Sequence, residues 1–169
     1  MDSDAGDEDK KVVQVTSAAA AASEEESLSK LEKYYLSVVI KALMSILRDP
    51  VQMMHHQTAI NISSRIIRTL GRKSHYETDE VVDGIFARIR SVPAGGSNMQ
   101  ISLIEFLCVV IHATGSHISK HYSRIATFIC DYFSLYLQPC LNTLETLYRS
   151  IPLQDFGYLI RFRITILIS

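Results

Sequence analysis

The chain has 169 residues, 47% of them hydrophobic and 21% charged. That balance excludes a wholly disordered polymer and fits a single domain or a piece of a larger array. A formal net charge of −1 excludes a protein that coats nucleic acid, but the total hides an asymmetry. Met1 to Glu26 holds eight acids against Lys10 and Lys11, a balance of −6, which leaves about +5 for everything after it.

Residues 1–26 run through DSDAGDEDKK, an alanine block and SEEES. No apolar face emerges from that composition, so the segment is expected to be a disordered acidic linker. Residues 27–169 then read as helix after helix. Ser27 or Ser29 is placed to cap a first helix that runs to about Arg48. Its expected buried face is Leu31, Tyr34, Tyr35, Val38, Val39, Ala42, Leu43, Ile46 and Leu47, spaced three and four apart. Asp49-Pro50 breaks it, since proline disfavours the α region for the residue before it. A second helix is expected over about Met53 to Leu70, with Ala59, Ile62, Ile66 and Leu70 as its stripe and Ile60 and Ile67 beside it. Gly71 supplies a left-handed stop.

The third helix is expected over about Tyr76 to Arg90, burying Val81, Val82, Ile85, Phe86 and Ile89. Ser91 to Asn98 holds Pro93, Gly95 and Gly96 and reads as a loop. A fourth helix covers about Met99 to Ala113, with Ile104, Leu107, Cys108 and Ile111 as its stripe, and Gly115 ends it. A fifth covers about Ser119 to Phe133, and a sixth about Leu137 to Ser150 with Leu137, Leu141, Leu144 and Tyr148 as its stripe. Pro152 breaks the sixth, and a seventh is expected from about Asp155. No segment shows the period-two alternation of a half-buried strand.

Gly71, Gly115 and Pro152 each close a helix, and each is followed five to seven residues later by a tyrosine: Tyr76, Tyr122 and Tyr158. The period of about 36 to 46 residues holds two helices, as in HEAT and armadillo repeats. The fold expected is therefore all-α: an α-solenoid of about seven helices in three to four HEAT-type antiparallel pairs, truncated at both ends. One helix pair cannot bury its own apolar faces, so both ends are expected to expose apolar surface.

The strings YYLSVVIKALMSILRDP and MMHHQTAINISSRIIRTLG resemble a stretch of the target of rapamycin (TOR) serine/threonine-protein kinases. The matching positions are Tyr34, Tyr35, Ala42, Leu43, Met44, Ile46, Arg48, Asp49, His55, His56, Leu70 and Gly71. Ser116, His117, Ile118 and Tyr122 match a later segment of the family. The last helix pair, through Phe162, is similar in layout. The corner at Arg72, Lys73 and Ser74 departs from the family's apolar pattern. The resemblance implies a piece of the helical solenoid that precedes the kinase domain. It implies protein partners, namely subunits of a TOR-type complex and neighbouring HEAT repeats, a cytoplasmic location and a part in TOR signalling.

The chain itself carries no glycine-rich phosphate loop and no HRD-like or DFG-like string. Phosphoryl transfer needs those groups to hold ATP and metal. No catalytic, cofactor or metal residue is therefore assigned, and no cofactor is expected. His117 and His121 sit four apart, with His112 upstream, but no cysteine or carboxylate stands at a matching distance to complete a zinc set. Cys108, Cys130 and Cys140, with no CxxC pair, read as reduced core thiols. No apolar run approaches the ~20 residues of a membrane span, so no transmembrane segment is expected.

Two residue sets remain. Arg48, Asp49, Pro50, His55, His56 and Gly71 are expected to build the hairpin corners, with Arg48 and Asp49 joined by a charged hydrogen bond. Arg65, Arg68, Arg72 and Lys73 form a small basic cluster that is a candidate partner surface. The competing readings are a stand-alone HEAT or armadillo-like adaptor, which needs polar capping helices, and a fragment whose full-length product is the active kinase.

Overall fold

A computed structural model describes residues 28–92 and 98–150. Its first helix, α1 (Lys30–Arg48), opens on Ser29 rather than Ser27. The Ser29 hydroxyl accepts the backbone N–H of Glu32 at 3.2 Å, and the Glu32 carboxylate accepts the backbone N–H of Ser29 at 2.9 Å. This reciprocal box satisfies two donors that a helix start leaves unpaired. Pro50 opens a 3₁₀ turn, Pro50–His55, in which the Asp49 carboxylate accepts the Val51 N–H at 2.9 Å. That turn consumes Met53 and Met54, so α2 (His56–Leu70) starts three residues later than the apolar pattern suggested.

Gly71 and Gly115 lie at φ +54° and +57°, the left-handed region that a side chain disfavours. Each opens a seven-residue 3₁₀ turn, Gly71–Glu77 and Gly115–His121. The next helix then begins: α3 (Thr78–Ser91) and, after α4 (Asn98–Thr114), α5 (Tyr122–Tyr132). The two glycines are thus equivalent, 44 residues apart by sequence number, within the expected repeat period. The tyrosines are not. Tyr122 opens α5 and is buried, whereas Tyr76 sits inside the preceding turn and is exposed; the residue in register with Tyr122 is the buried Thr78. The last described helix is α6 (Leu137–Ser150). The acidic segment 1–26, the loop residues 93–97 and the seventh helix expected from Asp155 lie outside the described residues.

The described residues are all-α, six helices laid as pairs in two layers. In one layer α2 packs on α4, and α4 on α6; in the other, α1 packs on α3. Phe86 of α3 meets Phe128 of α5 edge to face, ring centroids 5.1 Å apart, which carries that layer on to α5. α4 is the centre. It buries Leu103, Ile104, Phe106, Leu107, Val110 and Ile111, an arc of about half the helix and wider than the single stripe expected, while the expected Cys108 is half-buried and Glu105 and His112 on the other side are exposed. A buried arc that wide belongs to a helix with neighbours on several sides. The continuous helical stretch across α4 and α5, Asn98–Tyr132, has the length and composition of a membrane span, but half of its most apolar window is buried within the fold.

The edges differ from the sequence expectation in which face they bury. α1 buries Leu36, Ile40, Leu43, Met44 and Leu47, while Leu31, Tyr34, Tyr35, Val38 and Val39 face outward. α2 buries Ala59, Ile60, Ser63 and Ile67, with Ile62 exposed; α6 buries Cys140, Thr143 and Leu147, with Leu137, Leu141 and Tyr148 largely exposed. In α3 the expected set, Val81, Val82, Ile85, Phe86 and Ile89, is buried throughout. Gly84 marks the α1–α3 crossing: a Cβ there would lie 2.6 Å from Met44 Sδ, so the Met44 side chain packs directly on the glycine and would have to shift for any larger residue.

Candidate functional site

The hairpin corner after α1 is assembled from backbone and side chain together. His56, fully buried at the start of α2, donates from Nε2 to the Asp49 carbonyl at 2.8 Å, closing the corner across seven residues. That bond fixes the tautomer, because a carbonyl only accepts. His55, next to it, is exposed. The Asp49 carboxylate takes hydrogen bonds from the Val51 N–H and from Gln52 Nε2. Those bonds, Val51's first, hold it below the usual aspartate range. The charged bond expected between Arg48 and Asp49 does not form. Arg48 instead reaches across to α3, pairing Nη1 with Glu80 Oε1 at 2.5 Å and Nη2 with the Glu80 carbonyl at 3.3 Å. Adjacent side chains at a helix end point apart, so the arginine meets the neighbouring helix and the aspartate meets its own turn.

α3 is stapled on its other side as well. Asp79 accepts from Lys120 Nζ at 2.5 Å and from His121 Nε2 at 2.7 Å. Lys120, followed by His121, lowers the pKa of Asp79 against a smaller opposing effect of burial. One turn along α3, Asp83 pairs with Arg124, whose guanidinium lies 4.4 Å over the Phe86 ring. The three carboxylates of α3 thus receive cations from the unit before and the unit after. His117, matched with His121 as a zinc candidate, stacks on His75 at 4.4 Å instead. Among the described residues no three His, Cys, Asp or Glu side chains converge as a metal would require. The three cysteines are free thiols. Burial pushes Cys140 up to about 11, while burial and then the charge of Asp131 raise Cys130.

The basic cluster separates into two parts. Arg68 and Arg72 stand at the mouth of a groove of about 660 Å³ between the C-terminal ends of α2 and α4 and the flank of α6, walled by Cys108, Val109, His112 and Thr146. A second hollow of about 550 Å³ shares Arg72, His112 and Thr146 and continues to Glu145 and Arg149. Arg65 and Lys73 are not in these walls; Lys73 lies close enough to Glu32 of α1 for its charge to lower that carboxyl, after the two hydrogen bonds from Ser29. Among the described residues neither Arg68 nor Arg72 has an ion-pair partner, whereas Arg149 is paired with Glu145 on its own helix at 2.6 Å. Sequence reading found the two arginines but not the groove, nor His112 and Arg149 beside them, because α4 and α6 supply those from positions 40 and more residues away. It also missed Arg88, which is buried on α3 and donates to Ser91 Oγ at 2.9 Å; nothing in the i, i+4 pattern marks an arginine as inward.

Comparison with known proteins places this arrangement. The family described as the serine/threonine-protein kinase mTOR domain matches residues 2–112. The chain is 30% identical over 104 residues to the serine/threonine-protein kinase TOR2 of Saccharomyces cerevisiae, covering 62% of this chain and 4% of that protein. It is 27% identical over 121 residues to the serine/threonine-protein kinase mTor of Drosophila melanogaster, covering 72% of this chain and 5% of that protein. The chain therefore spans only a small fraction of the length of the curated relatives it matches. No solved structure gives a significant match. The helical repeat and the residues shared with TOR kinases agree with the family match: the chain belongs to the mTOR-domain family of the serine/threonine-protein kinases.

Proposed function

We propose that this chain is a non-catalytic HEAT-type scaffold segment of a TOR-type kinase, extending a helical stack that holds partner proteins in register with a distant kinase domain. The observation that carries this reading is the uncovered apolar row of α1. Leu31 is 62% exposed, Tyr34 63% and Tyr35 59%, on a helix whose other face is fully packed. A row of that kind at the edge of a two-layer stack is the surface onto which a further helix or a partner docks. The match to a small fraction of two kinases, by a chain that carries no phosphate-loop or metal-holding string, supports a structural role over a chemical one. The interaction belongs in cytoplasmic TOR signalling, with protein subunits as partners.

The test is association of the purified chain by light scattering with its thermal unfolding. The native chain is expected to self-associate and to melt broadly. Tyr34→Lys with Val38→Lys is expected to make it monomeric without loss of helix content. A native chain that is monomeric with a sharp, high-temperature transition overturns the docking role. Transfer of phosphate from ATP by the purified chain overturns the non-catalytic one.

A further inference from the structure

We infer that the groove at the ends of α2, α4 and α6 is a docking site for the chain's own acidic N-terminal segment, residues 1–26. The groove presents Arg68 and Arg72 with no carboxylate partner among the described residues, and adds His112 and Arg149. Among the described residues Glu145, in the wall of the adjoining hollow, is the one acid there and is already held by Arg149. Around α3 the cations are paired, since Arg48, Lys120 and Arg124 each meet a carboxylate there; Arg65, Lys73 and Arg90 meet none among the described residues, and what sets Arg68 and Arg72 apart is their place together in the walls of a groove. Unpaired arginines over a concave surface attract a flexible or extended anion, and guanidinium groups suit carboxylates because they bind them through paired donors.

The acidic segment has the complementary charge, −6 against about +5 in the remaining residues. It also starts in the right place. The first turn of α1 lies at the corner that bears the groove: Lys33 Nζ sits 4.1 Å over the Tyr76 ring, and Lys73 acts on Glu32. Gly71 and Arg72, from that same corner, form the groove's edge. Twenty-six residues reach as far as roughly 90 Å when extended. The α2–α4–α6 layer is about 20 Å across, two helix-to-helix spacings. Tethering at the groove's own end gives the segment a millimolar-scale effective concentration, so pairs that are individually weak suffice to hold it.

The experiment uses the full chain. A fluorescein-labelled peptide of residues 1–26 is titrated by anisotropy, at low salt, into three proteins. These are the native chain, a variant with all eight acids of residues 2–26 replaced by Asn or Gln, and that variant with Arg68→Gln and Arg72→Gln added. The neutralised variant is expected to bind the peptide, and the native chain to bind it about tenfold more weakly or less, because its own segment competes. Removing the two arginines is expected to cost about tenfold, and raising the salt to weaken all binding. Both arginines face solvent, so far-UV circular dichroism should be unchanged; Arg149→Gln gives a second route should the double variant unfold. Equal binding by native and neutralised chains overturns the inference, as does no binding by the neutralised chain or binding that survives loss of the arginines. A poly-glutamate peptide that binds the native and neutralised chains equally well assigns the groove to an acidic partner in trans and overturns the assignment to residues 1–26.

Discussion

α4 and α1 are both rich in apolar residues, yet they live in different surroundings. α4 is enclosed by α2, α3 and α6, and its buried residues cover about half of its circumference. α1 is enclosed by α2 and α3 alone; one apolar row is buried and a second faces outward. α6, the last described helix, repeats the pattern with Cys140, Thr143 and Leu147 inward and Leu137 and Leu141 outward. Composition separates α4, with Glu105 as its one charged residue, from α1, with five, but which apolar row of α1 is buried is set by its neighbours. The lesson is that in a linear stack the edge helices are written for neighbours on both sides.

The largest expected effect is at the centre. Leu107 on α4 is fully buried, and Leu107→Ala should leave a cavity costing about 3–4 kcal/mol by denaturant unfolding. A loss below 1 kcal/mol would mean that the centre packs no better than the edge. Next comes the α1–α3 crossing. Gly84→Val drives side-chain atoms into Met44 and should cost about 2 kcal/mol. Pairing it with Met44→Ala should recover part of that loss, because the new space accepts the new side chain.

Acid sensitivity separates the stapled side of α3 from the rest. Asp79 is held below its ordinary pKa by Lys120 first and His121 after it. A carboxylate with a depressed folded pKa contributes stability that is fully present above the unfolded value and is lost as pH falls through the folded one. The window therefore lies below about pH 4, the unfolded aspartate value. Asp79 is 58% exposed in its side chain, so solvent screening limits the effect to about 0.5–1 kcal/mol. Asp79→Asn should remove that much near neutral pH and flatten the acid limb of the stability curve. An acid limb identical to that of the native chain would show that Lys120 and His121 contribute nothing.

How much of this was legible follows the same division. Ser29, Pro50, Gly71 and Gly115 set helix ends by local physics, a cap, a ring and a left-handed φ, and a sequence displays such residues directly. The buried face of α3 was legible too, because α3 has a neighbour on each side and its apolar residues leave one acidic face over. The faces of α1, α2 and α6 were misjudged by about one residue. In each, two apolar rows compete, and only the position of the neighbouring helix decides between them. Arg48 was matched to the wrong acid for a similar reason: Asp49 is adjacent in sequence, and Glu80 is adjacent in space. The arginines of the groove were visible as a cluster, but their groove is made by α4 and α6 and has no local signature.

The smallest stability effect belongs to the edge, and it is the one that bears on function. Leu141 on α6 is 42% exposed, so Leu141→Gln removes little buried area and should change unfolding free energy by less than about 0.5 kcal/mol. Leucine and glutamine are both good helix formers, so propensity does not offset the comparison. The same substitution replaces the middle of the exposed row on α6 with a group that prefers water. Self-association measured by sedimentation should therefore weaken while the melting curve stays in place. If stability falls as far as it does for Leu107→Ala, Leu141 is packed in solution and the edge is not an edge. If association is untouched, the outward row of α6 has no docking role, and the scaffold reading rests on α1 alone.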